Sequence, residues 1–194
     1  VGVPAWIQIL LEKIISHYNL NSIHDIWPNL SVYVHSGVSF EPYTKSFEKL
    51  FEQPIMYVES YLASEGYIAY QNRLNKKGMH MVLHSGLFYE FVPFNDNNFD
   101  YEGNIKSNPQ ALTINEVEEG KEYALLLSTC AGAWRYLIGD TIKFVSLKHK
   151  EIVVTGRTKH FLSICGEHLS QENMNRAVKM LQDELNVEIN EFTV

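Results

Sequence analysis

A carboxylate and a guanidinium mark the stretch 134–170. Asp140 follows Gly139, and Arg157 follows Gly156. Each pair borders an apolar, β-branched run, 141–148 and 151–155, so both charges are expected in turns just outside strand ends. Ligand sites of mixed folds form at strand ends. A third strand-like run, 160–164, leads into Gly166-Glu167-His168-Leu169-Ser170. Earlier in the chain, Tyr61-Leu62-Ala63-Ser64-Glu65-Gly66 sets one hydroxyl and one carboxylate among small residues. A carboxylate in such a turn suits a hydrated Mg²⁺, a hard cation that takes few protein ligands. Taken singly, these motifs are equally readable as polar hairpin turns.

The elements that must position them come from hydrophobic periodicity. Pro4 opens a helix whose wide apolar face carries Trp6, Ile7, Leu10, Leu11, Ile14, Ile15 and Tyr18, a face expected to be buried against a sheet. Strand 31–35, a helix from Pro42 and strand 55–58 form a βαβ pattern, which favours parallel pairing. Strand 66–70 follows. Runs 79–83 and 87–94 flank Ser85-Gly86 and are expected to form a hairpin. After a polar loop at 95–108, a strand is expected at 111–117. The run 122–129, with Leu125, Leu126 and Leu127 in succession, reads as a strand buried on both faces. Ser170 is expected to cap a last helix with Met174, Ala177, Val178, Leu181 and Leu185 on one face, before a closing strand at 187–194. The fold class is therefore mixed α/β: a βαβ-containing sheet domain with a β-rich second half, then the start of a small α+β C-terminal domain.

Composition narrows the function classes. The chain has 194 residues, 45% hydrophobic and 20% charged, which suits one domain with a small appendage. A net charge of -7 argues against a nucleic-acid partner. Charges such as Glu12 and Lys13 interrupt the apolar runs, so no membrane span is expected. Cys130 and Cys165 both lie in apolar runs and are expected to be buried thiols of a reducing, cytoplasmic compartment. His80 and His84, four apart on a strand, would stand roughly 13 Å from one another, too far to share a metal ion.

In order, the segments resemble the auxin-responsive promoter family of acyl-acid amido synthetases, within the adenylate-forming superfamily. Pro4-Ala5-Trp6, Trp27-Pro28-Asn29-Leu30, and Ser36-Gly37-Val38-Ser39-Phe40 with Tyr43 are similar to that family's central region. Tyr61 to Gly66 is similar to its Tyr-x-x-Ser-Glu nucleotide motif. Phe88-Tyr89-Glu90-Phe91-Val92-Pro93 matches the next segment, and Arg135-Tyr136 with Gly139-Asp140 the Tyr-Arg-x-Gly-Asp region. Gly156-Arg157 through Gly166-Glu167 and Leu169-Ser170 resembles the hinge motif.

The resemblance implies ATP and Mg²⁺ as cofactors, and a carboxylic acid and an amine or amino acid as substrates. The acid attacks the α-phosphate of ATP to give an acyl-adenylate, and the amine then displaces AMP. It implies that Glu65 holds Mg²⁺, Ser64 lies beside the phosphate, and Tyr61 flanks the adenine. Asp140 accepts from the ribose hydroxyls and Arg157 stands near them, while Ser36 and Gly37 let backbone approach the acyl-adenylate. Lys159 becomes the pivot between residues 1–158, part of the large domain, and 159–194, the start of the small one. The phosphate loop and most of the C-terminal domain are expected outside this stretch, so the fragment alone is expected to be inactive. His168 stands where the family often has Lys, and Leu137 where it often has Arg. The motifs leave open a relative that uses a thiol acceptor such as coenzyme A, and a non-catalytic homologue that binds a nucleotide or small acid.

Overall fold

A computed structural model describes residues 1–74, 76–159, 162–164, 167–169, 171–185, 187 and 189; for 162–164, 167–169 and 171–172 it describes the backbone alone. The chain divides into two compact units, Val1–Ser60 with Asn175–Val194, and Tyr61–Met174.

In the first unit Pro4 stands at the start of α1 (Pro4–Tyr18), where its missing N–H costs nothing. Asn19 ends the helix in the left-handed conformation, φ 51°. β1 (Val32–His35), a 3-10 turn (Glu41–Tyr43), α2 (Thr44–Leu50) and β2 (Met56–Ala63) follow. β1 and β2 pair in parallel, from Val32 opposite Met56 to His35 opposite Glu59, so the βαβ expectation holds. The core gathers Leu11, Ile23, Tyr33, Phe47 and Leu50, with Tyr33 stacked on Phe47 at 5.1 Å. Only half of the α1 face joins this core. Ile7, Leu11, Ile14 and Ile15 pack inward, whereas Trp6, Leu10 and Tyr18 are exposed. The stripe is wider than one contact surface can cover, and periodicity cannot say which edge is left out.

Helix α3 (Gln171–Leu185) forms where a last helix was expected. Leu181 and Leu185 are exposed and Gln182 is buried. Exposed ion pairs join it to the elements before it, Lys45 to Asp183 at 2.8 Å and Lys179 to Glu41 at 3.7 Å. The closing strand expected at 187–194 and the Ser170 cap lie outside the described residues, as does Cys165.

The second unit is an antiparallel sheet. Its strands are β3 (Gly66–Tyr70), β4 (Met79–Met81), β5 (Phe88–Pro93), β6 (Glu122–Ser128), β7 (Tyr136–Ser146) and β8 (Glu151–Arg157), in the spatial order β3-β4-β8-β7-β6-β5. β9 (Leu162–Ile164) and β10 (Glu167–Leu169) make a separate antiparallel ribbon. β6 is buried on both faces as expected: Tyr123, Leu125 and Leu127 enter one core cluster, Ala124 and Leu126 the other.

Three expectations are corrected here. β4 and β5 do not form a hairpin, because β3 and β8 occupy both edges of β4 while β5 pairs with β6. The run 111–117 is not a strand. It contributes one bridge, Leu112 to Phe91, and then turns where the Thr113 amide and hydroxyl both donate to Glu116 Oε2 at 2.7 Å. Cys130 is exposed in the turn after β6 rather than buried, because apolar neighbours in sequence do not place a residue inside a strand.

One buried charge anchors the sheet's middle. Glu151, 1% exposed, forms a bidentate pair with Arg73, whose Nε donates to Oε1 at 2.5 Å and Nη2 to Oε2. Arg73 holds the Glu151 carboxyl below the usual carboxylate range. A lowered folded-state pKa stabilises above the unfolded value and is lost as pH falls through the folded one. In the full-length protein, Arg73→Ala is expected to lower the Tm, because it strands a buried carboxylate, and Glu151→Gln in the same chain to restore part of the loss. Glu151→Gln alone is expected to flatten the fall in stability below about pH 4, as read by thermal melts across pH.

Candidate functional site

β7 and β8 run antiparallel, and Asp140 stands directly opposite Arg157. Both residues were expected in turns beyond the strand ends. Instead they lie inside the strands, which continue past the apolar runs to Tyr136 and to Arg157. Cross-strand neighbours bring their side chains together. Arg157 Nε lies 3.4 Å from Asp140 Oδ1, and Arg157 Nη2 donates to the Ile138 carbonyl at 3.1 Å. The register slips between Thr141 and Ile142, a bulge of the kind that re-aims side chains, immediately after Asp140.

Gly139 is what lets the guanidinium lie flat there. Its φ is +89°, and a Cβ at this position would sit 3.1 Å from Arg157 Nη2. Its carbonyl accepts from the Thr158 amide at 2.8 Å, which ties the residue after Arg157 to the residue before Asp140. Behind the pair, Thr141 and Thr155 hydroxyls meet at 2.9 Å, and Thr155 donates to Glu122, so three strands are pinned at this level.

Tyr61, near the end of β2, completes the arrangement. Its hydroxyl donates to Asp140 Oδ2 at 2.5 Å, and its ring joins the core cluster that holds Ile68, Met81 and Ile138. Burial, and next the Asp140 charge, push the phenol far above its ordinary range, so it stays a protonated donor. Glu65 adds to that shift from the two-residue turn that joins β2 to β3. The Glu65 carboxylate has no hydrogen-bond or ion-pair partner among the described residues, and Ser64 beside it is exposed. No three His, Cys, Asp or Glu side chains cluster as a protein-only metal cage among the described residues. A free carboxylate in a turn fits a cation that draws most of its ligands from phosphate and water.

The other expected residues fall elsewhere. Ser36 and Gly37 follow β1 in the first unit, Gly37 with φ +91°. Lys159 is exposed in the turn after β8. His168 lies in β10 opposite Ser163 of β9, and its side chain is outside what the structure describes. The sequence reading missed the role of Gly139 and the Tyr61–Asp140 bond. The glycine just before the acid was the available signal for the first; nothing local announced the second, which joins residues 79 apart.

Residues 80–157, which include both Asp140 and Arg157, match the GH3 family central domain. Over that stretch the chain is similar to the GH3 family. It is 28% identical over 187 residues to a jasmonoyl-L-amino acid synthetase of Oryza sativa subsp. japonica, GH3.5, covering 87% of this chain and 31% of that protein. It is 29% identical over 185 residues to the jasmonoyl-L-amino acid synthetase JAR6 of Nicotiana attenuata, covering 88% of this chain and 30% of that protein. The chain thus spans about three-tenths of these curated relatives. The solved structure of the GH3.15 acyl acid amido synthetase superposes with a TM-score of 0.67 at 16% identity, over 88% of this chain and 30% of the other, and shows the shared fold.

Gly139→Ala is expected to destabilise the full-length protein by about 1–3 kcal/mol, from a left-handed φ and contact with the guanidinium. Thermal or denaturant unfolding measures it. An unchanged midpoint would show that β7 relaxes freely at this residue.

Proposed function

We propose that the protein carrying this chain is an ATP-dependent acyl-acid amido synthetase. A carboxylic acid attacks the α-phosphate of ATP, pyrophosphate leaves, and an amine, in the form of an amino acid, displaces AMP from the acyl-adenylate to give an amide. The observation that carries this reading is the Asp140–Arg157 pair across β7 and β8, inside the matched family region and bonded to Tyr61. The matched relatives are synthetases that join jasmonate to amino acids, which supports an amine acceptor over a thiol such as coenzyme A.

The residues take roles that suit their chemistry. Asp140, acceptor-only, receives the ribose hydroxyls, and Arg157 pairs with that carboxylate and helps align it. Glu65 would hold Mg²⁺, which when bound offsets charge on the phosphates. Ser64 donates to a phosphate oxygen from the same turn. Tyr61 belongs to the nucleotide end of the site. In the first unit, Ser36 and the left-handed Gly37 let backbone approach the acyl group. Lys159 serves as the pivot between 1–158 and 159–194, and His168, on the ribbon after it, reaches phosphate as a cation only when protonated. No helix among the described residues is long and apolar enough to cross a membrane. A cytoplasmic setting accords with the use of ATP, and no nucleic-acid partner is invoked.

Carboxylate-dependent ATP–pyrophosphate exchange by the full-length protein, screened over aryl and alkyl acids, tests the reading. Exchange with at least one acid is expected. No exchange with any acid, together with no ATP binding, overturns it. Asp140→Ala is expected to weaken nucleotide binding by about 1.5–3 kcal/mol, the usual size for hydrogen bonds to a charged group, as measured by calorimetry.

A further inference from the structure

Two donors reach the Asp140 carboxylate, one at each oxygen. Tyr61 donates to Oδ2 at 2.5 Å, and Arg157 Nε stands 3.4 Å from Oδ1. The phenol is the closer contact by 0.9 Å, the difference of these two distances. Arg157 is half-exposed, and Nη2 of its guanidinium is already engaged by the Ile138 carbonyl at 3.1 Å. The Tyr61 ring is 8% exposed and fixed in the core beside Ile68, Met81 and Ile138. A ring so enclosed aims its hydroxyl rigidly at Asp140.

The χ2 torsion of an aspartate is broad, so a carboxylate on a strand needs a second contact to choose one orientation. Ionised, it offers about four lone-pair sites. Tyr61 takes one on Oδ2 and leaves sites on both oxygens. A ribose cis-diol brings two hydroxyl donors side by side, which needs both oxygens presented together. Presenting them before the ligand arrives spares the ordering cost at binding.

We propose that Tyr61 is a positioning residue that, through its hydroxyl, orients Asp140 to receive the cis-diol of a ribonucleotide. This rests on the nucleotide-site reading above. It assigns to the Tyr61–Asp140 pair a selection for ribose over deoxyribose.

The test is equilibrium binding of ATP, 2′-deoxy-ATP and 3′-deoxy-ATP to the full-length protein, with the wild type expected to prefer the ribonucleotide. Tyr61→Phe keeps the ring and removes only the hydroxyl. It is expected to weaken ATP binding about fivefold to tenfold, less than the loss of a direct hydrogen bond to a charged group because Tyr61 acts through Asp140, and to shrink the ribose preference by a similar factor. Affinity for the deoxynucleotides should change far less. A merely structural tyrosine would lower the Tm and weaken all three ligands alike, and that result overturns the inference. Tyr61→Phe added to Asp140→Ala should cost nothing more for ATP; a further loss as large as in the wild-type background also overturns it. Asp140→Ala separates the two levels. If it abolishes the ribose preference while Tyr61→Phe preserves it, the positioning role fails and the site reading stands. If Asp140→Ala leaves the preference intact, or the wild type has none, the assignment of Asp140 itself fails and takes the inference with it.

Discussion

The cross-strand register that sets Asp140 against Arg157 is the constraint on which the candidate site depends. A shift of one residue in either strand would send one of the two charges to the opposite face of the sheet. The register is held by ordinary ladder bonds, by the bulge after Asp140, and by the Glu122–Thr155–Thr141 chain of side-chain contacts across three strands. Gly139 then permits the close approach that gives the guanidinium its place over the backbone. Each of these features is local to β6, β7 and β8, and together they make the charged pair a property of the sheet.

Around this register the second unit hides its polar groups with partners. Asp140 is largely buried but receives a neutral donor from Tyr61 and a cation from Arg157. Glu151 is more deeply buried and receives both nitrogens of an Arg73 fork. The two carboxylates differ in one respect that matters for function. Glu151 has its two oxygens filled by one bidentate partner, which suits a structural anchor. Asp140 keeps acceptor capacity on each oxygen and a half-exposed partner, which suits a group that meets a ligand.

Much of the framework was legible in the residues. The βαβ start, the doubly buried run at Tyr123–Leu127 and the strand at Gly66–Tyr70 follow from period-2 and period-3.6 patterns that the structure reproduces. Ordered motifs also pointed to the family that residues 80–157 match. Several inferences that required a partner failed. The expected hairpin at Ser85-Gly86 failed because strand neighbours are chosen across the sheet, and β4 had better neighbours in β3 and β8. The expectation that the whole α1 face would be buried failed because an apolar stripe names candidates for burial, not the surface that covers them.

By itself the sequence determined most of the strands and helices, with 111–117 an exception, as well as which side chains could carry charge into a site and where glycine frees the backbone. Those properties reside in single residues and their immediate spacing. Tertiary structure alone decided that Asp140 and Arg157 lie within strands, face to face, and that Tyr61 reaches Asp140 across 79 positions of chain. Register and long-range contact arise from the packing of whole strands, where many weak terms are summed before any one pair of side chains is brought together.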